Sequence, residues 1–173
     1  MTDSSRSTDL ATRIAQGERE RSHPRGVVPL ITQYGNVLSG RVWHGGCTNN
    51  VRACTEEGDE FDLIVSLYPR EKYSIRASQT ARLEMPLLDT GECDLALVRV
   101  AADLAAAYLN KGGKVLIHCQ EGMNRSSLVL GVLLIEHAGI SPQEAIGEIR
   151  KRRSKKCLYN GAFVRQLLSL QAT

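Results

Sequence analysis

Large aromatic side chains are nearly missing: two Phe and one Trp in 173 residues. The core must therefore be built mostly of Leu, Val, Ile and Ala. Long hydrophobic runs are missing too. The longest, about Leu128 to Ile135, falls far short of the roughly 20 residues needed to cross a bilayer. The opening MTDSSRSTDLATRIAQGERERSHPRG is polar and charged, without the apolar segment of a signal peptide. A cytoplasmic setting without membrane insertion is expected. Neither sign of charge dominates: 22 Lys and Arg against 19 Asp and Glu leave +3, which gives a mild preference for anionic partners and no argument for nucleic acid. Cysteine is sparse and odd in number, at 47, 54, 93, 119 and 157, so free thiols are expected in a reducing compartment. His44, Cys47 and Cys54 lack both a zinc-knuckle spacing and a fourth ligand. They read as loop and core residues around Trp43, and neither a metal nor a cofactor is expected.

The length suits one domain with a substantial core. Residues 1–26 form a polar, charged extension with a short helix around Asp9 to Gln16, and the domain occupies 27–173. VVPLI (27–31) and VLSGRVW (37–43) read as extended segments, Thr48 to Gly58 as a weak helix or loop, and DLIVSLYP (62–69) as an apolar strand buried on both faces. YPREKYSIRASQT is basic surface loop. ARLEMPL (81–87) alternates as a strand, and Asp94 to Asn110 repeats apolar residues at helical spacing until Lys111-Gly112-Gly113. KVLIHC is the next strand and SSLVLGVLLIEHAG a helix too apolar for the surface. Ser141, Pro142 and Glu144 form a capping box opening a further helix, which runs into KRRSKK (151–156), and a last helix covers about Gly161 to Leu170. This order gives a single α/β domain, with a central, mostly parallel sheet flanked by helices on both faces and KVLIHC in the middle.

Chemistry concentrates in HCQEGMNRS, His118 to Ser126. A strand ends at Cys119, five residues turn, and a helix begins at about Arg125. Loop amides and the first helical N–H groups then converge on one concavity suited to an anion. Arg125 adds a planar fork for two oxygens of a phosphoryl group. In that field Cys119 is favoured as a thiolate aimed at phosphorus. Gly122 lets the backbone approach the anion, which a Cβ would crowd. Ser126 either caps the helix or donates to the Cys119 sulfur, easing its departure in a second step. His118 must face away from the pocket and order the loop through hydrogen bonds. Gln120, Glu121, Gly122, Met123, Asn124 and Arg125 make up the phosphate-binding loop.

HCQEGMNRS resembles the HC-x5-R-S/T signature of the cysteine-dependent protein tyrosine phosphatase superfamily. KGGKVLIHC, SPQEAIGEIRKRR and YNGAFVRQLL, with Asn160 and Phe163, resemble its dual-specificity branch over roughly residues 30 to 170. The resemblance implies that fold, a phosphocysteine intermediate, and a carboxyl that protonates the leaving oxygen and later activates water. Asp89, Glu92 and Asp94 are the candidates. Asp94 is explained as a helix cap, whereas Asp89 follows a strand parallel to KVLIHC and can overhang the same sheet edge. The branch carries its acid about 30 residues before the cysteine, which also implies Asp89.

Members directed at phosphoinositides carry lysines inside this loop, where Gln120, Glu121 and Asn124 stand here. The resemblance therefore implies a phosphorylated protein or peptide substrate, phosphotyrosine first, with phosphoserine and phosphothreonine beside it. The alternatives are a phosphoinositide or RNA 5′-phosphatase, or a silent phosphate-binding module. Arg70, Lys72, Arg76 and KRRSKK read as a solvated basic face, with assembly around a polyanion as the rival reading.

Overall fold

The computed structural model describes residues 31–33, 41–46, 61–68 and 80–171. Five strands, β1 (Ile31–Gln33), β2 (Val42–Gly46), β3 (Leu63–Ser66), β4 (Ala81–Glu84) and β5 (Val115–Cys119), form one sheet in the order β1-β2-β5-β3-β4. Only β1 runs antiparallel to its neighbour, so the sheet is mostly parallel and the VLIHC strand is central. In register, Val42, Val115 and Leu63 lie abreast, as do His44, Ile117 and Val65. These side chains share the face that carries Cys119. Trp43, Leu116 and Ile64 share the opposite face, where Trp43 meets Phe61 edge-on with ring centroids 5.4 Å apart.

Four helices follow: α1 (Leu95–Asn110), α2 (Arg125–Ala138), α3 (Pro142–Arg152) and α4 (Gly161–Leu168). Asp94 caps α1 by accepting from Ala96 N–H at 2.9 Å. Ala101, Ala102, Ala105 and Ala106 are buried on α1, and such small side chains let α1 lie close to α2 and the sheet. Every residue of α2 from Arg125 to Ile135 is buried, because α1, α3 and α4 surround it above the sheet. Gly131 on α2 makes room for Leu167 of α4, whose Cδ1 would lie 2.7 Å from an added Cβ. The capping box is present at Ser141 and Glu144. Apolar groups of the four helices and of the sheet face that carries Cys119 form one core cluster, to which the buried Phe61, Ile64 and Leu116 of the opposite face do not belong, so among the described residues the helices cover one face rather than the two expected.

Several boundaries differ from the sequence reading. The second strand continues to Gly46 instead of stopping at Trp43. Gly45 and Gly46 look like strand breakers, yet Gly46 must lack a side chain, since a Cβ there would meet the Glu121 carbonyl carbon at 2.7 Å. The strand read over 81–87 ends at Glu84, although the Met85 and Leu87 amides still donate to Ser66 and Leu67 carbonyls at 2.9 and 3.3 Å. The last helix stops at Leu168, with Ser169 as its C-cap. The helix at 9–16, the boundary at 26, most of the strand at 27–31, the segment 48–58 and the basic loop with Arg70, Lys72 and Arg76 lie outside the described residues.

Candidate active site

The central strand delivers Cys119, buried to 1% exposure, to the sheet edge, and α2 begins six residues later at Arg125. Gly122 N–H donates to Cys119 Sγ at 3.3 Å, and Ser126 Oγ lies 3.2 Å from the same sulfur. Ser126 thus reaches the sulfur as the sequence suggested. Outward hydrogen bonds fix the loop's orientation. The Glu121 and Gly122 carbonyls accept from Arg153, while Met123 C=O accepts from Leu158 N–H and Ser127 Oγ–H, both at 2.8 Å. Because a trans peptide points its C=O and following N–H in opposite directions, these anchors turn the amides of Gly122, Met123 and Asn124 inward. An amide-lined cradle at a helix N-terminus results.

Gly122 is required for a reason other than the expected one. Its φ is +67°, and a Cβ would lie 2.4 Å from the Gly45 carbonyl and 2.5 Å from Arg153. The crowding is with β2 and with Arg153 behind the loop. Gln120 and Glu121 are exposed at the rim, whereas Met123 and Asn124 are buried. His118 faces away, beside Ser66 of β3 and Gly45 of β2. Burial lowers its proton affinity to a pKa of about 4, helped by the charge of Arg82, and a hydrogen bond with the Cys119 backbone opposes the shift.

Arg125 is 7% exposed and lies over the Tyr68 ring, 5.5 Å from its centroid. Its Nη1 donates to Leu87 C=O at 3.5 Å, and its Nε, 3.4 Å from Asp89 Oδ2, has no hydrogen-bond partner among the described residues. A buried guanidinium N–H left over at the mouth of an amide cradle is a donor awaiting an oxyanion.

Of the three candidate acids, only Asp89 reaches this cradle. Its Oδ1 accepts from Asn124 Nδ2 at 2.9 Å, and its Oδ2 lies 3.4 Å from both Arg125 Nε and the Tyr159 hydroxyl that donates to it. The Asp94 carboxylate is occupied capping α1, and Glu92 is exposed. Asn124 joins two segments: its amide donates to Asp89, and its Oδ1 accepts from Asn160 N–H at 3.2 Å. Asn160 Nδ2 reaches Gly91 C=O, and Gln166 exchanges hydrogen bonds with the Cys93 backbone, so the N-cap and second turn of α4 hold the Asp89 loop in place.

Three contributors escaped the sequence reading. Arg153, inside the run read as a solvated basic face, is 5% exposed and donates to three carbonyls, those of Gly122, Glu121 and His44. The solvated-face reading fits Lys151, Lys155 and Lys156, which are exposed, and fails for Arg153. His44 is fully buried, with Nε2 2.9 Å from Ser126 Oγ and 3.3 Å from Ser127 Oγ. Burial, and secondly the charge of Arg153, hold its proton affinity well below the usual histidine range. Tyr159 stands exposed beside Asp89. The only local signal was that KRR spans the end of an amphipathic helix, where three consecutive side chains cannot all face solvent, although which one turns inward is not marked.

A cysteine-based phosphate loop on a mostly parallel α/β sheet defines the cysteine-dependent protein tyrosine phosphatase superfamily. Residues 42–173 match the model of the family described as "Dual specificity phosphatase, catalytic domain", and the chain belongs to that family. Among curated relatives, the tyrosine-protein phosphatase CDC14 of Saccharomyces cerevisiae is 26% identical over 138 residues, 79% of this chain and 23% of the relative. Human dual specificity protein phosphatase 26 is 39% identical over 74 residues, 42% of this chain and 34% of the relative. The aligned part thus spans about a quarter to a third of these relatives' lengths. The crystal structure of human DUSP28 superimposes with a TM-score of 0.66 at 22% identity, covering 80% of this chain and 90% of that one. That similarity establishes the fold.

Proposed function

We propose that this domain hydrolyses phosphomonoesters on proteins, phosphotyrosine first, through a phosphocysteine intermediate. The observation that carries the reading is one loop that holds Cys119 Sγ with Gly122 N–H donating to it and, at its other end, a leftover Arg125 N–H beside the Asp89 carboxyl. In the first step the Cys119 thiolate attacks phosphorus in line, the bond to the leaving oxygen breaks, and Asp89 supplies its proton. In the second, Asp89 accepts a proton from water as that water attacks phosphorus, and the P–S electron pair returns to sulfur. Arg125 and the inward amides carry the charge on the equatorial oxygens in both steps. Because these groups supply the electrostatic stabilisation, the scheme calls for neither a metal nor a cofactor.

The loop contains no lysine to meet extra ring phosphates, and Glu121 at the rim would repel them. Tyr68 and Tyr159 stand beside Arg125 and Asp89, where they offer side walls to an aryl group. The deciding measurement is phosphate release from phosphotyrosine, phosphoserine and phosphothreonine peptides, phosphoinositides and 5′-triphosphorylated RNA at one ionic strength, with and without chelator. Phosphotyrosine peptides should lead, chelator should change nothing, and Cys119→Ser should abolish turnover while still binding phosphopeptide. A tenfold preference for inositol lipid or RNA, about 1.4 kcal/mol in the transition state, would overturn the protein reading.

A further inference from the structure

The Ser126 hydroxyl has one proton and two neighbours that could take it, Cys119 Sγ at 3.2 Å and His44 Nε2 at 2.9 Å. Its usefulness depends on which one does. If the proton points at the sulfur, it stabilises the thiolate that leaves phosphorus in the second step. If it points at the imidazole, the sulfur loses that donor.

The neighbouring serine points to one direction. Ser127 Oγ lies 2.8 Å from Met123 C=O, and a carbonyl can only accept, so the Ser127 proton goes there, while the Cys157 thiol, its pKa raised by burial, donates to the same hydroxyl. Ser127 Oγ is also 3.3 Å from His44 Nε2, and with its proton spent it can only accept in that contact. An Nε2–H shared between the two hydroxyl oxygens satisfies both contacts. His44 is fully buried and Arg153 stands nearby, which keeps the ring neutral, so it has a single N–H to place. With Nε2–H donating to Ser126 Oγ, the Ser126 proton is free to turn to Cys119.

We propose that His44 is a positioning residue for hydrolysis of the phosphocysteine: through Nε2–H it holds the Ser126 hydroxyl with its proton directed at Cys119 Sγ. The inference rests on the proposed reaction. It adds no proton transfer. As water attacks phosphorus and the S–P electron pair returns to sulfur, Ser126 donates a hydrogen bond to the developing thiolate, and His44 keeps that bond aimed.

Rapid mixing with an aryl phosphate separates the two steps. His44→Leu should slow phosphocysteine hydrolysis about tenfold, the scale of one hydrogen bond to a charged group. Phosphorylation of Cys119 should slow much less, so that a burst of phenol appears or grows. Ser126→Ala should do the same, and His44→Leu should add nothing in its presence. His44→Gln, with an amide N–H in a similar place, should recover part of the second step. Equal slowing of both steps, or additive effects in the double variant, would overturn the assignment. A second measurement needs no altered fold: the ring nitrogen shifts of His44 in the unsubstituted protein at neutral pH, assigned by their loss in His44→Gln. The neutral Nε2–H tautomer is expected, and an Nδ1–H tautomer or an imidazolium overturns the inference. An active phosphatase with the wrong tautomer sinks this inference alone, whereas a protein without phosphatase activity sinks the proposed reaction.

Discussion

Arg125 and Arg153 approach the same loop from opposite sides, and both are nearly inaccessible, at 7% and 5% exposure. Arg153 sits behind the loop and gives its donors to the backbone carbonyls of Gly122, Glu121 and His44. Arg125 sits at the mouth, with an Nε that lacks a hydrogen-bond partner among the described residues and an aromatic ring beneath its guanidinium. Burial does not tell the two apart; the commitment of their N–H groups does. An arginine with its donors satisfied by protein holds shape, and one with a donor left over at the mouth of an amide cradle is available to a ligand. The turned-out carbonyls and the turned-in amides are two sides of the same peptide planes, so Arg153 builds the cradle that Arg125 completes.

The largest effect expected from this difference is on catalysis. Arg125→Lys keeps the charge and loses the fork, so kcat/KM on an aryl phosphate should fall by about 10²–10³, as when one transition-state donor is removed. Its melting temperature should change little. Arg153→Met keeps the apolar stem and leaves buried carbonyls without donors, which should cost about 3 to 4 kcal/mol of stability. Urea unfolding of both variants, set beside their steady-state kinetics, tests the division of labour. The comparison breaks if Arg125→Lys loses mainly stability, or if Arg153→Met unfolds at the same urea concentration as the parent.

A somewhat smaller effect concerns acid. His118 titrates at about 4 in the folded chain against an ordinary 6.5, and His44 is also held low, partly by Arg153. Both bind a proton less readily folded than unfolded. Between the two pKa values the unfolded chain carries more protons, so the stability present above 6.5 is lost as pH falls toward 4 and below. For His118 alone the complete loss is roughly 3 kcal/mol. Urea midpoints taken in steps from about pH 7.5 to 4.5 should fall throughout, and His118→Gln should flatten the curve. Arg153→Met, by removing one of the two causes acting on His44, should also flatten it from a lower starting stability. A curve indifferent to Arg153 would confine that residue to its hydrogen bonds.

What the sequence made legible was local. Cys119, Arg125 and Ser126 lie within one strand, turn and helix, and their spacing alone puts the thiol inside a ring of amides. The Asp94 cap and the Ser141–Glu144 box depend on neighbours two and three residues away, and the central place of VLIHC on its apolar run. Asp89 was legible because its strand had to be parallel to β5. His44 and Arg153 were not, because their partners are 82 and 31 residues distant in the chain. Nothing in KRRSKK distinguishes a guanidinium turned inward from its hydrated neighbours, and nothing in VWHGG distinguishes a histidine under a helix from one in a loop. The extended segment was read only to Trp43, and the use of Gly45 and Gly46, room for Glu121 and Gly122, appears only when the loop is folded over them.

The smallest expected effect is the sharpest control on the contrast, because it comes from the same run as Arg153. Lys155 and Lys156 are exposed, and no hydrogen bond or ion pair of their side chains with a described residue is seen. An exposed lysine loses little when cut back to Ala, since its ammonium is hydrated in both states and its charge is screened by salt. Lys155→Ala and Lys156→Ala should each leave stability within about 0.5 kcal/mol and leave kcat unchanged on an aryl phosphate that bears no charge beyond its phosphoryl group. A polyanionic substrate reaching across this face would separate the two constants: its KM would rise in both variants and more steeply with salt, while the phosphotyrosine peptide's KM stayed put. KM values unchanged from the parent for both substrates in both variants would leave Arg153 as the one member of the run 151–156 that the loop uses. A KM rise confined to the polyanion would give the lysines a recognition role, and the solvated-face reading would then fail for them as it did for Arg153.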